Sequence, residues 1–352
     1  MTSIKEVAEA AGVSTATVSR VLSNGTHVRP ELRKRVQEAV DRLGYRPNLV
    51  ARSLRSQHTS TLGLIVSDIR NPFFTSISRA VEDTAYEQGF SILLCNTDED
   101  PEKEAIYLNL MQDANVAGII FSPTRQMAES FGTMALKTPI VVVDRTLKDS
   151  DVDAVLLDNV EAAARLTTHL IENGYRRIGA ICGERSTTGR ERRAGYEQAM
   201  QAHGLTPAAE LMKYIPPKPE SGYAAAREML DSPQPPDAFF TSNSLLAEGA
   251  LQAIRERGMI IPDQIALVTF DETTWASLVQ PPITLIAQPT YEIGRTAAEL
   301  LLQRVADPTR ATRRVILKGQ LVVRGSSAPK QHGSSSLSIA HVVNPELERH
   351  QG

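Results

Sequence analysis

The chain has 352 residues, 41% of them hydrophobic and 22% charged, with a formal net charge of -3. At roughly 150 residues per core this is material for two or three folded units, and the composition excludes a disordered chain. No apolar run reaches the ~20 residues of a membrane span, and the opening Met1-Thr2-Ser3-Ile4-Lys5-Glu6 lacks the apolar stretch of a secretory signal, which predicts a cytoplasmic protein with no membrane partner.

The charge is unevenly placed: residues 1–60 hold ten Lys or Arg against five acids, while the other 292 hold 28 against 36. A basic head on an acidic body suits an anionic polymer, because each neutralised phosphate releases counterions; solvated surface charge gives the same sums. In the head, Ile4, Val7, Ala8 and Ala11 have the spacing of an amphipathic helix, and Gly12 breaks it. Ser14 stands as N-cap to a second helix whose Val18, Val21 and Leu22 form a core stripe, leaving Thr15, Ala16, Thr17 and Arg20 facing away. Ser23-Asn24-Gly25 ends that helix, and a third is predicted from Pro30 to Leu43, stopped by Gly44. Two short helices about a glycine turn make a helix-turn-helix. After Pro47, the stretch from Asn48 to Leu54 has helical character but is too brief to stand alone, which predicts a hinge that folds on binding.

From Leu62 onward, buried strands alternate with amphipathic helices, the mark of a parallel α/β sheet. Strands are predicted at Leu62–Val66, Ser91–Asn96, Gly118–Phe121 and Ile140–Asp144, and a second series follows Asp158-Asn159 with strands at Ile178–Cys182, Ala238–Phe240 and Ile265–Phe270. Two such lobes enclose a cleft in a periplasmic-binding-protein-like core, where ligands sit at the carboxyl ends of strands. The residues there are Asn71, Phe73 and Phe74 after the first strand, Asp144 ending a strand, Arg192 beginning a helix, Asn243 after a strand, and Asp271 after Phe270. Carboxylates that take two hydroxyls, beside an aromatic face that covers C–H groups, suit a polyol or a sugar acid. Plainer roles are a hinge or surface ion pair for Arg192 and a helix N-cap for Asp271. Cys95 and Cys182 lie in apolar strand-like runs and are expected to be buried free thiols. No P-loop, nucleophile elbow, zinc spacing or dinucleotide fingerprint occurs, so no catalytic residue, metal or cofactor is predicted.

The run from Ala8 to Val66, AEAAGVSTATVSRVLSNGTHVRPELRKRVQEAVDRLGYRPNLVARSLRSQHTSTLGLIV, resembles the head of the lac repressor family, and the resemblance continues through NPFF, TTGRERRAGY, PESGY, TSNSLLAEGAL, IPDQIALVTFDE and TLIAQP in family order. It implies a ligand-gated transcription regulator, most simply a repressor, that binds operator DNA as a homodimer. Thr15, Ala16, Thr17 and Arg20 match base-reading positions, as suits an Arg facing guanine and methyls facing thymine; Ser14, Ser19, Asn24 and Tyr45 match phosphate or positioning contacts. Asn48, Ala51, Arg52 and Leu54 match the hinge, with Leu54 as the residue wedged into the central base step; packing of Leu54 on the protein itself is the alternative. Phe74, Arg192, Asn243 and Asp271 match effector contacts, joined by Asp144 and Gln288. Where relatives stack an aromatic before PESGY this chain has Pro216-Pro217-Lys218, so Trp275 or Tyr214 is expected to replace it, and Lys218 with Arg192 favours an anionic effector. The effector class is thus a sugar, sugar acid or sugar phosphate. The expected organisation is a helix-turn-helix domain over 1–46, a hinge over 47–60, and an effector-binding and dimerisation core over 61–325. Within the core, lobe one takes about 61–159 and 290–325 and lobe two about 160–289; a disordered tail is expected over 326–352.

Overall fold

The computed structural model describes residues 2–22, 28–45, 59–131, 138–147, 150–184 and 186–330. The chain divides into two compact units, Met1–Ser60 and Thr61–Gly352. The expected hinge positions Asn48, Ala51, Arg52 and Leu54, together with Asn24, lie outside the described residues.

The first unit contains helices α1 (Ile4–Ala11), α2 (Thr15–Leu22) and α3 (Pro30–Leu43). Val7, Ala8, Ala11, Val18, Val21, Val36, Ala39 and Val40 form its core. Ser3 and Glu6 cap α1 reciprocally, and Gly12 ends it at φ +61°, the left-handed region that glycine adopts without strain. The turn is pinned from α3: Arg35 Nη2 donates to Ala11 O at 2.6 Å, and a Cβ on Gly12 would fall 2.5 Å from that nitrogen. One of the ten basic residues of the head therefore holds the turn together.

In the second unit, the first lobe runs β1 (Thr61–Val66), α4 (Pro72–Glu87), β2 (Ser91–Asn96), α5 (Pro101–Asp113), β3 (Ile119–Phe121), α6 (Arg125–Ser130), β4 (Ile140–Val143) and β5 (Asp153–Leu157). The second runs α7 (Asn159–Glu172), β6 (Ile178–Gly183), α8 (Thr187–Ala202), β7 (Met212–Ile215), α9 (Pro219–Leu230), β8 (Ala238–Thr241), α10 (Ser244–Glu256), β9 (Ala266–Phe270), α11 (Thr274–Leu278) and β10 (Thr284–Ala287). Helix α12 (Thr290–Ala306) and strands β11 (Arg314–Leu317) and β12 (Gln320–Val322) follow. The two sheets have matching strand orders, β11-β5-β4-β3-β1-β2 and β12-β10-β9-β8-β6-β7. Among the described residues only the β10–β12 pairing is antiparallel. Each sheet has a core on both faces, because side chains alternate along a strand: Leu62, Leu64 and Val66 enter one cluster and Ile65 the other. Cys95 and Cys182 are buried free thiols. No described helix is long and apolar enough to cross a membrane.

Two expectations are corrected. Residues 290–325 do not all return to lobe one: α12 packs on α4 and β11 pairs with β5, but β12 joins the second sheet beside β10. A strand edge with unpaired N–H and C=O groups needs a partner, and two residues after β11 bring the chain to that edge. The tail does not begin at 326, because residues 325–330 are stitched to lobe two. Ser326 and Ser327 are fully buried, Ser326 Oγ donates to Leu267 O at 2.6 Å, and Tyr175 OH donates to Ala328 O at 2.8 Å. Residues 331–352 lie outside the described residues.

Helices α9 and α10 meet through glycine, a Cβ on Gly249 falling 2.0 Å from Pro219 O, so even one methyl would push backbones apart. Gly249→Ala is expected to cost roughly 1–3 kcal/mol of stability, read by calorimetry as a lower Tm; an unchanged Tm would show that the pair separates freely.

Candidate functional site

On the head, α2 is positioned by Val18 and Val21, both buried, so Ala16, Ser19 and Arg20 are exposed and Thr15 and Thr17 half-exposed. Ser14 Oγ accepts from Thr17 N at 3.2 Å and lies 3.0 Å from Thr17 Oγ1, which makes it the N-cap. Tyr45 is half-buried against the bundle core, its N–H on Val40 O. The α2 face thus offers a donor cation, methyls and hydroxyls on a rigid helix, the groups that read base edges in a major groove.

In the second unit a cavity of about 220 Å³ opens between the lobes. Of the residues expected there, Asn71, Phe73, Phe74, Asp144, Arg192, Asn243, Asp271 and Gln288 line it. Asn71 and Asn243 begin α4 and α10, and each commits its Oδ1 to its own helix, accepting from Phe73 N at 3.0 Å and Leu246 N at 2.9 Å. Their NH2 groups are the ends available to a ligand. Phe73 and Phe74 pack edge to face, with centroids 5.0 Å apart.

Asp144 and Asp271 come from opposite lobes by the same device. Each follows its strand, β4 or β9, in the left-handed region, at φ +69° and +75°. Each donates its N–H to the neighbouring strand, Asp144 to Val155 O and Asp271 to Ile286 O. Such backbone is uncommon outside glycine, although aspartate tolerates it. Asp271 does not cap the next helix, since Thr273 holds that position before α11. Its carboxylate accepts instead from Gln288 Nε2 and from Ser244 N, and among the described residues Gln288 Oε1 is buried without a partner.

Arg192 lies within α8 rather than at its start, because the helix begins at Thr187 behind its cap Ser186. It is 5% exposed, its guanidinium carbon 4.0 Å above the Phe270 ring. Nε donates to Asn159 Oδ1 at 2.8 Å and Nη1 to Ser242 O. Among the described residues no carboxylate stands within ion-pair distance of it, which excludes the salt-bridge role there. Burial raises Asp144 to about 6, opposed by the charges of Arg145 and Arg192 and reinforced by that of Asp271. Burial also raises Asp271, with Arg192 and the Gln288 hydrogen bond opposing.

Neither proposed aromatic replacement enters the cavity. Trp275 packs against the core of lobe two, and Tyr214 lies under the Arg193 guanidinium, 4.4 Å from ring centroid to carbon. Lys218, from the Pro216-Pro217-Lys218 run, does line it. The sequence reading missed Arg145, a buried lining residue that pairs with Glu99 and donates to Pro123 O at 2.8 Å. The echo of Asp144-Arg145-Thr146 in Asp271-Glu272-Thr273, each after an apolar strand, is the signal that locates it.

Two family models match the chain: the bacterial regulatory proteins of the lacI family over residues 3–48, and a periplasmic binding protein-like domain over residues 167–327. The chain is 36% identical over 330 residues to the HTH-type transcriptional regulator PtxS of Pseudomonas aeruginosa, covering 93% of this chain and 96% of that one. Among solved structures it resembles a transcriptional regulator CelR–cellobiose complex, with TM-score 0.68, 32% identity and coverage of 93% and 100%. It also resembles the lac repressor dimer bound to operator and the anti-inducer ONPF, with TM-score 0.83, 25% identity and coverage of 93% and 99%.

The raised Asp144 gives a stability test. Its value rises from 3.8 to about 6 on folding, so the folded chain keeps a proton that the unfolded chain has released between those values. Ionisation then costs stability as pH rises through that window, complete above it at on the order of 3 kcal/mol. Asp144→Asn is expected to melt higher than the parent at pH 8 and to converge with it below pH 4; a parent that melts higher at pH 8 contradicts this.

Proposed function

The chain belongs to the lacI family of bacterial regulatory proteins, and from that membership we propose that it is a repressor binding a palindromic operator as a homodimer, gated by a sugar, sugar acid or sugar phosphate. As a ligand-responsive DNA-binding regulator of this family it is not an enzyme. The observation that carries the effector class is the pair of aspartates facing each other from the two lobes, with Arg192 beside them. Two carboxylates accept hydroxyls from both sides of a small polyol, and the Phe74 ring covers its C–H face. A cavity of about 220 Å³ is smaller than the ~300–1,000 Å³ of sites for drug-sized ligands, which favours one sugar ring over two. Arg192 without a carboxylate partner, and Lys218 at the rim, favour an anionic group.

The homodimer is supported by the operator-bound dimer of the lac repressor and by exposed apolar side chains on lobe one. Tyr86 is 75% exposed, and Leu94 of edge strand β2 and Ile106 and Leu110 of α5 are 43%, 62% and 43% exposed. Two heads related by a two-fold axis fit two half-sites of a palindrome. An effector that prefers one angle between the lobes shifts the operator-binding state, and linkage makes the effect reciprocal. The domain limits 1–46, 47–60 and 61–325 form part of this proposal, with the closing residues to 330 added to the core.

Titration of the protein onto a labelled palindrome from its own upstream region, with and without sugars, sugar acids and sugar phosphates, tests the reading. Tight binding altered by one compound is the expected result, and no sequence-specific binding in any condition overturns it. Asp271→Ala is expected to abolish the response and spare operator binding; a response at parental concentrations removes Asp271 from the site. Leu54→Ala is expected to weaken specific binding about tenfold or more, or ~1.4 kcal/mol, and to spare salt-sensitive non-specific binding; unchanged operator affinity removes the wedge.

A further inference from the structure

Among the described residues the chain crosses between the lobes three times, between β5 and α7, between β10 and α12, and between β11 and β12. Asn159 is the first residue of α7, directly past the first crossing, and is 2% exposed. Capping of α7 does not need it, because the Asp158 side chain accepts from Glu161 N at 3.1 Å. Its amide faces two ways. Oδ1 accepts from Arg192 Nε at 2.8 Å, while Nδ2 donates to Glu191 Oε2 at 2.9 Å and lies 3.4 Å from Leu157 O, the last residue of β5.

An amide alone among the small side chains supplies an acceptor on one side and two donors on the other. A carboxylate at 159 would keep the Arg192 contact but face Glu191 with like charge. The preceding residue, Asp158, donates its N–H to Leu317 O at 3.0 Å, which ties the first crossing to the third. A displacement of Arg192 is thus passed to the end of a lobe-one strand through two hydrogen bonds on one side chain.

We propose that Asn159 is a positioning residue for the regulatory response, coupling the orientation of Arg192 in the cleft to the crossing from β5 into α7. The proposal rests on the cleft's being the effector site, and adds how occupancy there reaches the element that sets the angle between the lobes. Buried polar networks couple their members more strongly than isolated surface pairs, and a double-mutant cycle measures that coupling.

The test is amide hydrogen exchange of the full-length protein, without effector or DNA, followed over residues 153–160. Arg192→Met is expected to speed exchange there about fivefold or more in the parent and less than about twofold in an Asn159→Ala background, since the link is already cut. Lys218→Ala, in the same cleft but with no tie to the crossing, is expected to leave these residues unchanged. Asn159→Asp keeps the acceptor for Arg192 but has no N–H to give Leu157 O, so the Arg192→Met effect should fall below about twofold in it as well; this variant also decides the matter if Asn159→Ala does not fold. An Arg192→Met effect that is absent in the parent, or as large in the Asn159→Ala or Asn159→Asp background as in the parent, overturns the proposal. Because exchange is read without DNA, a failed operator titration would overturn the function above while this cycle still decides the role of Asn159.

Discussion

The second unit is organised around one buried cation. A guanidinium removed from water loses hydration worth several kcal/mol, and the loss is tolerable only where other dipoles replace it. For Arg192 the replacements come from separate elements: the Asn159 amide at the start of α7, the Ser242 carbonyl after β8, and the face of Phe270 at the end of β9. The two nearby aspartates act on it through space, beyond ion-pair distance. The ends of three elements are therefore held around a single charge, and that charge lines the cavity.

Around this centre the two lobes repeat each other. Their sheets share a strand order, and Asp144 and Asp271 occupy equivalent places with the same backbone twist and the same N–H bond to the adjoining strand. The repetition puts a carboxylate on each wall, and the partners then differ. Asp144 neighbours Arg145, itself paired with Glu99, whereas Asp271 accepts from Gln288 at the crossing into α12. A bound polyol would meet a wall anchored inside lobe one on one side and a wall tied to an interlobe crossing on the other. That asymmetry lets binding bear on the relation between the lobes, because a ligand shifts an equilibrium only through contacts that differ between its states.

Features that depend on neighbours along the chain were legible in the amino-acid order. The limits of α3 followed from Pro30 and Gly44, the Ser14 cap from its place before a helical stripe, and the strand ends from apolar runs broken by polar residues. Because ligand sites gather at such strand ends, Asp144, Asn243 and Asp271 could be named in advance, and Arg192 from the family resemblance; the structure brings all four to one cavity. The head's outward face was equally legible, since helical period alone sets which side chains oppose Val18 and Val21.

What only the tertiary structure decided involves partners far apart in the chain. Arg145 meets Glu99 across 46 residues, Arg35 grips the α1–α2 turn from 24 residues away, and Ser326 reaches Leu267 across 59. Strand β12 joined the second sheet because an open edge lay there, which its own three residues do not reveal. Trp275 was expected in the cleft for its chemistry, but the lobe-two core took its ring. The sequence by itself determined the elements, their order and the polar residues at strand ends, because period, caps and turns act over a few residues. Which buried charge would meet which partner was decided by the closing of two sheets, since pairing at long separation follows from topology and space rather than from local preference.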